Sequence, residues 1–254
     1  MDGKRKKRRY RNNLEFVEGG FRACWQNAND LVAASKDLMG QGLHAPALSL
    51  AVLALEEIGK LCAIDGLLFA RPDDHKTQTF SKSQRDHEIK LAGLALLPMF
   101  IGRLSAVDPR RESEEPYRVA LAISLRELQD DGNTVLIPLQ EEGFAGLDNL
   151  KQQGFYAGVA RGSFVAPREA IAKEYAEAVS RFAWRAITTI DFVLKGGNLE
   201  RYIEQARSIR SKLAESDHRA FEMEGQRIAE VLFGSDEVSD EPQGNTSTEP
   251  LKKN

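Results

Sequence analysis

From Ala45 to Leu55 the chain runs eleven residues without a charged side chain, and then sets Glu56, Glu57 and Lys60 close together. A helix that is apolar on every side has to be covered on every side. The segment therefore predicts a helix from Pro46 to Phe69 lying in the middle of a bundle or in a subunit interface. The uncharged stretch is about half of the roughly 20 residues that span a bilayer, and the charges that follow end it, so no membrane span is expected. Glu56 and Lys60 are four apart and Glu57 and Lys60 three apart, which lets both carboxylates approach one ammonium. One reading is an ion pair at the exposed end of the helix, worth little energetically. The other is a partly buried functional cluster, because carboxylates out of water must be paired or change protonation state.

Apolar residues recur at the helical period along most of the remaining chain. Leu14, Val17, Phe21, Cys24, Trp25, Ala28, Leu31 and Val32 mark one face of a first helix, which Gly40-Gln-Gly stops. Asp86 could cap a third helix starting near His87, with Pro98 kinking or splitting it. Asp108 to Pro116 reads as a charged loop and Tyr117 to Leu128 as a short helix. Gln129 to Ala166 carries six glycines and reads as a loop-rich insertion. Pro167 fits the first turn of a long helix whose core face is Ile171, Tyr175, Ala178, Phe182, Ala186, Ile190 and Val193. Helices near 199–213 and 217–233 follow. The expected fold class is all-α, with no glycine-rich phosphate loop between strand and helix.

Charge divides the chain unevenly. Lys4, Arg5, Lys6, Lys7, Arg8, Arg9 and Arg11 form a basic run, while residues 12–254 hold 28 basic and 37 acidic side chains. Such a run repels itself and is drawn to phosphate polymers or anionic surfaces; its other reading is a solubilising tail. Residues 235–254 have almost no apolar anchor and read as a disordered acidic tail. The expected organisation is a basic disordered arm over 1–12, a helical domain over 13–234 and the tail. Cys24 and Cys62 sit within apolar helical patterns without a Cys-x-x-Cys spacing, which fits core residues in a reducing cytoplasm. No motif calls for a metal or cofactor.

Two further segments could carry chemistry. His87 and Lys90, with Arg85 just before them, lie at the mouth of a helix, where the histidine could move a proton while the cations hold a polyanion. The plainer reading of His87 is a half-exposed residue of a first turn. Tyr156 stands between Gly154 and Gly158, with Lys151 and Arg161 nearby in sequence. It could stack a base or bind a partner, or anchor its loop on the bundle.

Taken together the three segments resemble the AbiV family of abortive-infection proteins, grouped with the helical HEPN superfamily. The small-residue helix ending in Leu-Glu-Glu-Ile-Gly-Lys is Leu55 to Lys60 here. The His-x-x-Lys motif is His87 to Lys90, and the Gly-x-Tyr segment with its later proline is Gly154, Tyr156 and Pro167. The resemblance covers about residues 14–195 and implies a HEPN-like bundle that arrests the growth of phage-infected cells by acting on RNA or translation. It also implies a homodimer, in line with the apolar helix, and RNA, the translation machinery or a phage protein as partner. Many HEPN relatives are metal-independent ribonucleases marked by Arg, four to six residues, then His. That spacing is not matched: Arg71 to His75 encloses three residues, Arg85 to His87 one and Arg210 to His218 seven. Enzymatic action thus stays open. If RNA is cut, the coincidence of titratable and cationic residues in these motifs gives His87 the role of acid or base, Lys60, Arg85 or Lys90 that of neutralising charge, and Glu56 or Glu57 that of orienting them. The rival is a non-enzymatic helical protein that binds its partner through loops and the basic arm.

Overall fold

The computed structural model describes residues 14–69, 87–136, 143–160, 163–195 and 197–212. The basic arm, the acidic tail, Arg85, Asp86, Arg161, His75 and the helix expected over 217–233 lie outside the described residues. In chain order the helices are α1 (Leu14–Gly40), α2 (His44–Phe69), α3 (His87–Ala92), a 3-10 turn (Gly93–Leu96), α4 (Leu97–Ala106), α5 (Arg110–Ser113), α6 (Glu115–Leu136) and α7 (Gly143–Phe155). A small antiparallel hairpin follows, β1 (Gly158–Ala160) and β2 (Ser163–Val165), with Val159 opposite Phe164. Then come α8 (Pro167–Ala170), α9 (Lys173–Leu194) and α10 (Asn198–Lys212). The fold is all-α apart from that hairpin.

The uncharged helix is the axis of the molecule. Ala47, Leu48, Ala51, Val52, Ala54, Leu55, Ile58 and Leu61 of α2 are all fully buried, each larger side chain contributing about 1.5–3 kcal/mol of apolar burial. Helices α1, α7 and α9 of the same chain, with α3 and the 3-10 turn, pack around it. Its apolar surround is therefore no argument for a dimer. The α1–α2 turn closes as a helix C-cap, the Gly42 and Leu43 amides donating back to the Met39 and Leu38 carbonyls at 3.0 and 2.9 Å. Gly42 takes φ +76°, a left-handed position that glycine fills without steric cost. Ser35 of α1 donates to the Ala47 carbonyl at 2.8 Å, and Trp25 Nε1 to Asp191 Oδ1 of α9 at 2.6 Å.

At the far end of α2, Asp65 is completely buried and accepts from Arg103 of α4 and Tyr202 of α10. Burial pushes its carboxyl up, and the guanidinium and phenol only partly oppose that. These bonds tie the last turns of α2 to two helices that follow much later in the chain.

Three expectations are corrected. The segment 129–166 is largely helical: α6 continues to Leu136 and α7 fills Gly143–Phe155. Two of its glycines serve close packing rather than turns: a Cβ on Gly132 would stand 3.1 Å from the Phe182 ring, and one on Gly154 would overlap α2. The third helix, by contrast, does split as expected, the 3-10 turn falling just ahead of Pro98. Pro167 opens a separate single turn, after which extended backbone at Ile171 and Ala172 puts the buried Ile171 into the core before α9 begins. The charged stretch from Asp108 is likewise no free loop. Asp108 is buried against Arg110 and Asn198, and the Arg110 guanidinium lies 4.5 Å from the Tyr117 ring centre.

Candidate functional site

Close glycine contacts dock two helices, α3 and α7, on neighbouring parts of α2. Gly59 lies against the Lys90 carbonyl and Gly93 against the Gly59 carbonyl, so closely that a Cβ at either position would overlap the opposing backbone. This contact fixes α3 beside α2. On another face Gly154 meets Ser49 and the Ala45 carbonyl with no room for a Cβ, and Ser49 Oγ donates to the Lys151 carbonyl at 2.8 Å. That contact fixes α7. Both arrangements depend on glycine lacking a side chain.

Glu56 is the centre that results. Its side chain is 3% exposed, with Lys151 Nζ 2.6 Å from Oε1, His87 Nδ1 2.7 Å from Oε2 and Lys90 Nζ 3.7 Å from Oε2. Lys151 also reaches Asp148 Oδ1 at 2.5 Å and lies 3.1 Å from His87 Nδ1. Two carboxylates and two ammonium groups thus balance around the imidazole. Burial acts to lower the Lys151 pKa, but hydrogen bonds and charge from Asp148 and Glu56 outweigh it and hold the ammonium above its ordinary value. His87 is the most open of the group, its side chain being 44% exposed, followed by Asp148 at 27%. A proton on Nδ1 would be donated to Glu56 Oε2 across the short contact, with Nε2 then the ring nitrogen that accepts.

The sequence candidates divide accordingly. Glu56, His87 and Lys90 come together. Glu57 and Lys60 do not join them: they pair with each other on a different face of α2, where Glu57 also bears on Cys24 of α1. Lys151, expected at a surface that binds RNA or a partner, is only 3% exposed and belongs to the Glu56 centre. Tyr156 is 66% exposed and so does not anchor its segment on the bundle. With Phe155, whose ring centre is 6.3 Å away, it forms a solvent-facing aromatic pair at the end of α7, and Phe164 on the hairpin is exposed as well. Asp148 was not among the expected residues. Had α7 been legible as a helix, Leu147, Lys151 and Gly154 at i, i+4 and i+7 would have shared one face, with Leu147 marking it as buried.

Neither cysteine belongs to this centre. Burial, aided by Glu57, pushes the Cys24 thiol up to about 12, and burial pushes the Cys62 thiol up further still. Since the thiolate is the nucleophile, iodoacetamide at pH 8 should alkylate both at least about 100-fold more slowly in the folded chain than after unfolding. Mass spectrometry of the labelled peptides measures this, and rapid labelling of native Cys24 would contradict it.

Fold and site define an all-α bundle protein whose helices converge on a buried carboxylate holding a half-exposed histidine. The HEPN-type AbiV family model matches residues 16–188, more than half of the chain. The chain belongs to this family and is an abortive-infection-type protein. No curated protein and no solved structure matches it. Among the described residues no helix is long and apolar enough to cross a membrane.

Proposed function

We propose that this protein arrests the growth of phage-infected cells by acting on RNA, with His87 as the group that moves the proton. One observation carries the reading. A half-exposed imidazole held at Nδ1 by a buried carboxylate is arranged for general acid–base work. In RNA cleavage Nε2 would take the proton of a ribose 2′-hydroxyl as that oxygen attacks the adjacent phosphorus. The bond to the next nucleotide's 5′-oxygen breaks, that oxygen takes a proton from water, and a 2′,3′-cyclic phosphate is left. Glu56 would hold the ring and balance the imidazolium that forms. Lys90 and Lys151 are too buried to grip a phosphate directly, so they act on Glu56, and the polyanion is left to cations nearer the surface.

The exposed aromatics Phe155, Tyr156 and Phe164 favour a second reading, in which the protein binds RNA, a ribosomal component or a phage protein without catalysis. The two are separated by His87→Ala in cells challenged with phage. The catalytic reading expects loss of protection and of RNA degradation, with a stability change under about 1 kcal/mol because the ring is half exposed. Full protection by His87→Ala, or arrest with cellular RNA intact in the wild type, would sink it. Loss of protection on changing Tyr156 and Phe164 to serine would then favour the binding reading.

A further inference from the structure

Lys151 Nζ stands 2.6 Å from Glu56 Oε1, 2.5 Å from Asp148 Oδ1 and 3.1 Å from His87 Nδ1. The donor atoms of these three residues lie within 4.8 Å of one another. One imidazole nitrogen and two carboxylates, gathered from three helices around a single point, form a donor set suited to a divalent ion such as zinc or manganese. Here a side chain of the protein holds that point.

We infer that Lys151 is the built-in cation of this centre, standing where a divalent ion would sit in a metal-dependent site and fixing Glu56 and His87 without one. Two features of the packing support this. The ammonium cannot withdraw easily, because its own carbonyl accepts from Ser49 and Gly154, three residues on, is wedged against Ala45 and Ser49 of α2. Charge is also already balanced, Lys90 and Lys151 opposing Glu56 and Asp148. An added divalent ion would have to share a buried space with two ammonium groups, or expel one of them. Lys151 is on this view a positioning residue. The inference deepens the proposed function and rests on it only for what the centre does.

The test is zinc titration of the full chain, followed by calorimetry and thermal unfolding. Wild type and Glu56→Gln should take up zinc identically, showing no uptake at the centre. Lys151→Ala should gain one equivalent of zinc, which raises its unfolding midpoint by about 5–10 °C at a hundredfold excess over Kd. Adding His87→Ala to that variant should abolish the gain. A Lys151→Ala chain that folds only with zinc supports the inference equally. Zinc uptake by wild type that disappears in Glu56→Gln overturns it, as does a Lys151→Ala chain that gains nothing from zinc in binding or in folding. The comparison of wild type with Glu56→Gln holds even if Lys151→Ala is unstable. None of these measurements reads growth arrest or RNA, so failure of His87 as a catalyst would leave their outcome untouched.

Discussion

Glu56→Ala should cost about 3–5 kcal/mol of folding stability, whereas the same change at its neighbour Glu57 should cost about 1 kcal/mol. The two side chains differ by one position in sequence but occupy different surroundings. Removing the Glu56 carboxylate strands Lys151 and Lys90 among buried groups, leaves the His87 ring unheld, and cannot be relieved by solvent. Removing Glu57 frees Lys60, whose flexible stem can carry its ammonium to water, and takes a carboxylate away from the neutral Cys24 thiol. Urea unfolding with linear extrapolation gives both values. Equal losses would mean that the centre on α2 carries no more weight than the pair beside it.

A comparable loss is expected from adding one methyl group. Gly59→Ala and Gly154→Ala should each destabilise by about 3 kcal/mol or more, beyond the usual range for overpacking, because the new Cβ meets opposing backbone, the Lys90 carbonyl in one case and the Ala45 carbonyl beside the Ser49 hydroxyl in the other. Gly102→Ala in α4 offers the control: nothing lies within 4 Å of its Cβ position, and alanine in an open helix interior should stabilise by roughly 0.5–1 kcal/mol. Thermal or chemical unfolding of the three variants decides this. If Gly59→Ala were as stable as Gly102→Ala, the close approach of α3 to α2 would be wrong.

How far the sequence reached depended on whether a residue's role is local. Helix α2 was legible because eleven uncharged positions leave no face for water, and α1, α9 and α10 followed from their periodicity. The central pairing was half legible. Glu56 and His87 could be singled out by residue type, but nothing in Leu-Glu-Glu-Ile-Gly-Lys tells which glutamate turns inward. That choice is made by the crossing of α3 over Gly59, a contact between segments about thirty residues apart. Segment 129–166 was misread because glycine has two uses, permitting turns and permitting close approach, and composition alone does not separate them. With α7 taken as loop, Lys151 had no buried face to belong to, and Asp148 went unnoticed.

The contact between Trp25 and Asp191 supplies an internal optical reporter. The two tryptophans, Trp25 on α1 and Trp184 on α9, are both carried by helices other than the three that build the Glu56 centre. Trp25 emission therefore follows the docking of α1 on α9, whereas Trp184 is 45% exposed and reports less on packing. A variant at His87, Lys90 or Lys151 with wild-type emission has kept its frame, and any biological defect it shows then belongs to the altered side chain.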